Sequence, residues 1–256
     1  MKNAIVTLSL VGVLAFAGCA TPDPDTDGRP KSPQEAATYN AQLAMAYMRQ
    51  GNLAVARDKV ERALIQDSQN ATVQTTAGVI YERLGDDKKA ESHYSTAMRL
   101  KPDDPEVLNY YGVYLCRKGR TKEGERLFLK AARNPAYRTP ELAYNNAGLC
   151  LRNNAQFDGA EKYFQQALAI KPKFADALLQ LADLSFERGR MTDAQALVQR
   201  YLGSQPANPQ ILWLGVRIER TLGNRAAADA YAKRLKNEFP KTEQTRALLD
   251  SERQSG

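Results

Sequence analysis

One position recurs down this chain at a nearly constant interval. Gly51, Gly85 and Gly119 are 34 residues apart, Ala155 follows after 36, and Gly189 and Gly223 follow at 34 each. Similar small and bulky apolar residues surround each of these points. A helix pair of that length cannot bury its apolar face by itself. Stacked at a fixed period, such pairs share a continuous core and build a quasi-one-dimensional array. A single globular core is therefore excluded, and each recurring glycine reads as a turn between two helices.

A frame set at Ala37 gives units starting at Ala37, Ala71, Pro105, Glu141, Ala175 and Pro209, each with a helix A, the turn and a helix B. A small residue stands at position 8 of most units: Ala44, Gly78, Gly112, Gly148 and Ala182. It lets helix A approach its partner helix closely. Position 11 is bulky in Tyr47, Tyr81, Leu115 and Leu151, and position 20 is small in Ala56, Ala90, Gly124, Ala160, Ala194 and Ala228. Val60, Tyr94, Phe128, Phe164 and Val198 share position 24, and Pro102, Pro172, Pro206 and Pro240 end their B helices at position 32. This set of positions resembles the tetratricopeptide repeat. The resemblance implies an all-α fold, a right-handed superhelical solenoid of six tetratricopeptide helix-turn-helix repeats over residues 33–240. Residues 241–256 read as a C-terminal capping helix and tail.

Helix starts are marked by a capping residue followed by proline. Ser32-Pro33 carries a capping box with Glu35, and Asp104-Pro105, Thr139-Pro140 and Asn208-Pro209 repeat the signal. The frame departs from the pattern in three places. Two extra residues fall in a loop at 134–139, Ser185 takes position 11 of repeat five, and repeat six places Gly215, Val216 and Glu219 at positions 7, 8 and 11.

Upstream of the repeats, Lys2 precedes an uncharged apolar run at residues 5–17. The run is short for a membrane span and ends in small residues, as a secretory signal does. Ala17-Gly18-Cys19 resembles a bacterial lipobox, with Phe16 where leucine is usual. That resemblance implies that residues 1–18 are a lipoprotein signal peptide and that Cys19 becomes the acylated first residue. An ordinary signal with an incidental cysteine is the alternative. Residue 20 is alanine and not aspartate, which in such lipoproteins points to the outer membrane. Several acyl chains would anchor stably, at about 0.8 kcal/mol per buried methylene. Residues 19–32 contain Pro22, Pro24 and Pro30 among aspartates and threonines, with nothing apolar to fold on. They read as a flexible tether, and at about 3 Å per residue could reach about 35 Å.

The formal net charge of +7 comes without a dense Lys/Arg block, so it does not indicate nucleic acid. His93 is the only histidine, leaving little material for a histidine metal site or a Ser-His-Asp triad. With no nucleophile-base pair and no glycine-rich phosphate loop, no catalytic residue, metal site or cofactor is expected.

Cys116 and Cys150 fall late and midway in the A helices of repeats three and four, at positions 12 and 10. Adjacent A helices meet through different sides, so a bridging pair should occupy different positions. In an oxidising periplasm a disulfide would pin these repeats across the point where the period slips. Two buried free thiols are the other reading. On the remaining inner positions of helix A stand Met45, Met48, Arg49, Arg83, Asn109, Arg117, Asn145 and Arg152. They suggest a groove for a partly acidic peptide, with Arg49, Arg83 and Arg117 as a ladder and Asn109 and Asn145 on peptide backbone.

The segments Asn109-Tyr110-Tyr111-Gly112-Val113-Tyr114-Leu115-Cys116 and Tyr144-Asn145-Asn146-Ala147-Gly148-Leu149-Cys150, together with the lipobox and tether, resemble the type IV pilus biogenesis lipoproteins of the PilF/PilW family, including their paired cysteines. The resemblance implies a non-enzymatic pilotin. Its expected partners are secretin subunits of the type IV pilus, outer-membrane lipid through acylated Cys19, and the lipoprotein-sorting machinery. Its body would lie in the periplasm as a monomer. A β-barrel-assembly component or a protease adaptor is the competing reading.

Overall fold

The structure, a computed structural model, describes residues 32–255. The expected signal, Cys19 and most of the tether lie outside the described residues. Among the described residues the fold is thirteen α-helices and no strands. They pair as α1 (Pro33–Arg49) with α2 (Leu53–Gln66), α3 (Ala71–Arg83) with α4 (Asp87–Leu100), and α5 (Pro105–Arg117) with α6 (Thr121–Ala132). Next come α7 (Pro140–Arg152) with α8 (Phe157–Ile170), α9 (Ala175–Glu187) with α10 (Met191–Leu202), and α11 (Pro209–Thr221) with α12 (Arg225–Glu238). A last helix, α13 (Glu243–Ser255), packs on α11 and α12.

Ser32, Asp104 and Asn208 each accept a backbone N–H of the first turn, offsetting the unpaired donors of a helix start. Thr139 does not cap with its side chain, contrary to the sequence reading. It ends the lengthened loop with ψ 54 instead of the extended backbone of Ser32, Asp104 and Asn208, and its carbonyl accepts Leu142 N–H at 3.0 Å. Tyr137 of that loop is buried in the core beside α7.

All six turns close alike. Gly51, Gly85, Gly119, Gly189 and Gly223 have φ between 74 and 80, and Ala155 has φ 56. The next residue donates to the position 11 carbonyl of its own repeat, as Asn52 does to Tyr47, Gln156 to Leu151 and Asn224 to Glu219. This is the left-handed helix end that glycine adopts without strain. Ser185 and Glu219, odd as position 11 side chains, still serve through their carbonyls.

Within a repeat, the position 24 ring covers the position 8 glycine. A Cβ on Gly78 would stand 2.8 Å from Tyr94, on Gly112 2.7 Å from Phe128 and on Gly148 2.5 Å from Phe164. Repeat six keeps the same device one residue earlier: a Cβ on Gly215 would meet Tyr231 at 2.9 Å. Its apparent degeneracy is a shift in register.

Cys116 and Cys150 are joined by a disulfide, with Cα atoms 5.5 Å apart. Sγ of Cys116 lies where a Cβ on Gly124 would be. The other repeats bury an alanine at this position.

Between repeats, an acid at position 21 reaches forward. Glu91 receives Arg120, Glu125 receives the Tyr163 hydroxyl at 2.5 Å, and Glu161 receives Arg190 through two bonds of 2.8 Å. Burial first, then Glu125, drives the Tyr163 phenol well above its usual range. In repeat five Gln195 takes this place and donates to buried Glu219 at 2.9 Å. Successive A helices touch, whereas successive B helices do not, so the stack curves with the A helices inside.

Candidate functional site

Among the described residues, recesses open on the concave face toward each end of the array. The first, about 370 Å³, lies between α1, α3 and α5. Ala41, Met45, Val79 and Val107 give it apolar walls, and threonines of α1 and α3 line its middle. At least one of these hydroxyls is already used: Thr75 donates to the Ala71 carbonyl at 2.8 Å. Arg49, Glu106 and Tyr110 also line it. Burial, then Asp104, raises the Glu106 carboxyl above its ordinary value. Burial and Glu106 raise the Tyr110 phenol, with Arg49 opposing. This recess can take an apolar segment and can present a cation to an acidic one.

The expected groove residues divide. Met45 and Arg49 line the recess, but Met48 packs against the core. Arg83 is exposed and outside the recess lining. Arg117 donates to Glu82 at 3.0 Å, and the same carboxylate accepts the Tyr94 hydroxyl at 3.2 Å. The arginine ladder is thus interrupted, because Glu82 of the preceding repeat takes the third rung. Asn109 accepts from Asn146 at 3.0 Å, so its carbonyl is turned to a neighbouring helix. Asn145 is buried, with Oδ1 unpaired and closed off from solvent, and does not stand ready for a peptide backbone.

Arg152 departs most from the groove reading. It crosses from α7 to α9 and donates to Gln180 at 2.8 Å, Asp183 at 2.5 Å and Glu187 at 2.7 Å. Its side chain is 15% exposed. It forms a crossbar on the concave face, with its Nη1 and Nη2 groups committed to three partners on α9.

Beyond the crossbar is a second recess of about 210 Å³, lined by α9, α11 and α13. Trp213 lines it, although its position in the sequence suggests simple packing between repeats five and six. Position in the frame gives the face of a helix, but whether an aromatic ring there is covered depends on the next helix. His93 is held at 2.7 Å by Gln74 and stacks on Tyr81. Burial, then Lys89, lowers its pKa, consistent with a packed histidine. Among the described residues no group of three or more His, Cys, Asp or Glu could hold a metal ion, and no helix is long and apolar enough to cross a membrane.

Two tetratricopeptide repeat families match the chain, over residues 41–105 and 151–214. The type IV pilus assembly protein PilF of Pseudomonas aeruginosa is 25% identical over 241 residues, 94% of each chain. The crystal structure of PilW, described as a widely conserved type IV pilus biogenesis factor, is 34% identical, with a TM-score of 0.72 over 83% of this chain and 98% of that one. A Pseudomonas aeruginosa PilF structure superposes with a TM-score of 0.70 at 23% identity, over 86% of this chain and 99% of that one. A full-length helical array, glycine turns at one period and this extent of likeness to PilW place the chain in the PilF/PilW family of tetratricopeptide proteins of type IV pilus biogenesis.

Proposed function

We propose that the protein is a non-enzymatic pilotin, acylated at Cys19, delivered to the outer membrane by the lipoprotein-sorting machinery and held there with its repeats in the periplasm. Its first recess binds a segment of the pilus secretin and gathers subunits at the membrane. Tethering converts subunit encounters into near-intramolecular ones and raises their effective concentration, which favours ring assembly without any catalytic step. The observation that carries this reading is the recess itself. It lies in the repeats nearest the tether, has apolar walls, and holds Arg49 without a carboxylate partner among the described residues.

The experiment is a deletion strain complemented with native protein or with Arg49→Glu, scored for secretin multimers in outer-membrane fractions. Multimers should be lost on deletion, restored by native protein and reduced by the charge reversal at equal protein level. Normal multimers in the deletion strain would refute the pilotin role. Full rescue by Arg49→Glu would remove Arg49 from the contact.

A further inference from the structure

The second recess contains an arginine that has no acid of its own. The Arg217 guanidinium stacks on Phe186, 4.2 Å from the ring centroid. Its side chain makes no hydrogen bond or ion pair among the described residues. Contact with the ring face holds the guanidinium in place and leaves N–H donors for a partner, and a guanidinium can take a carboxylate through two parallel bonds. The carboxylate sharing the recess, Asp183, is already engaged by Arg152.

The rest of the lining suits a polypeptide. Trp213 and Leu214 offer apolar surface next to Arg217. Gln180, Gln210 and Gln244 come from α9, α11 and α13, so each of the three helices lining the recess contributes an amide. The Gln180 carbonyl accepts from Arg152, which leaves its NH₂ group to donate. Amides on three helices can pair with the N–H and C=O groups of a peptide backbone.

We propose that this recess is a second binding site, which takes an extended partner segment through an internal acidic side chain on Arg217 with an adjacent apolar residue against Trp213. The site lies across the Arg152 crossbar from the first recess, and its occupancy does not depend on what the first recess binds. The protein would then hold two segments at once, one at each end of the array.

Trp213 is the only tryptophan of the chain, so its fluorescence reports this recess directly. The probes are acetyl-Leu-Ala-Glu-Leu-Ala amide, its glutamine counterpart, and the glutamine peptide with a free C-terminal carboxylate. The glutamate peptide should shift the emission saturably and bind about tenfold more tightly than the glutamine amide, as loss of a charge-assisted pair predicts. In Arg217→Gln the two amides should bind equally, and Arg217→Lys should restore part of the preference. Arg49→Glu should titrate like native protein, which separates this site from the pilotin reading. Unfolding curves of the Arg217 variants check that the fold is intact. Equal affinity of the two amides for native protein, a preference that survives Arg217→Gln, no saturable shift, or binding of the free-terminus peptide alone would each overturn the proposal.

Discussion

Gly124 is the only glycine at position 20 of the repeats, and the disulfide explains it. Ala56, Ala90, Ala160 and Ala194 fill this place fully buried, so the helix pair itself tolerates a methyl group. In repeat three a Cβ would overlap Sγ of Cys116 and stand 2.8 Å from the Gly112 carbonyl oxygen. Gly124→Ala in the oxidised protein should therefore show an overpacking cost of about 1–3 kcal/mol, less about 1 kcal/mol gained by alanine over glycine inside a helix. In a Cys116→Ala/Cys150→Ala background the sulfur is gone and the Gly112 carbonyl oxygen is the close contact that remains, so the alanine should cost less than in the oxidised protein. That background itself should lose about 4 kcal/mol, the loop-closure value for cysteines 34 residues apart. Urea unfolding of the four proteins, followed by far-ultraviolet circular dichroism, yields the coupling as a double-mutant cycle. It should be about 1–3 kcal/mol, with the alanine less unfavourable in the cysteine-free background. An alanine effect of the same size and sign in both backgrounds would refute the coupling.

Ala155 holds the turn conformation of the five glycines with φ 56, so Ala155→Gly should stabilise by about 0.5–1 kcal/mol, read from the shift in urea midpoint. Gly215→Ala should cost about 1–3 kcal/mol, because the new Cβ would press on the Tyr231 ring; a neutral result would count against the shifted register of repeat six. The hydrogen bonds from Arg190, with its charge and that of Arg188, hold the Glu161 carboxyl below its ordinary range. A depressed carboxylate contributes stability that is full above the unfolded pKa, near 4.3, and fades as pH falls through the folded value. Glu161→Gln should thus cost about 1 kcal/mol or less at pH 7, with the gap in melting temperature closing below about pH 4.

The fold is legible because its signals are local. A glycine at a left-handed turn, a small residue under a ring and a proline after a cap each work within one repeat, and the 34-residue spacing aligns them. Even Ala155 stands where the count puts it, since the turn geometry is set by the hydrogen bond from Gln156 to Leu151. The concave face was less legible. Frame position tells which way Arg117 and Arg152 point, but their partners Glu82 and Asp183 belong to adjacent repeats and carry no periodic mark. The same holds for Asn145, buried by its neighbours; the acids Glu91, Glu125 and Glu161 do recur at one position, but their partners change from arginine to tyrosine and back. Repeat six shows a third case: a fixed frame hides a glycine-ring pair that has slipped by one.

The disulfide also has a mechanical consequence. A linear array pulled from its two ends can pay out chain repeat by repeat, as each helix pair lets go. The bridge between Cys116 and Cys150 takes the 34 residues between them out of that reserve. At about 3.5 Å per extended residue, about 120 Å of slack is withheld from a pulled chain until the bond is reduced. Single-molecule stretching should show a contour shorter by this amount before reductant than after it. An array bridged in this way is prevented from lengthening at its middle.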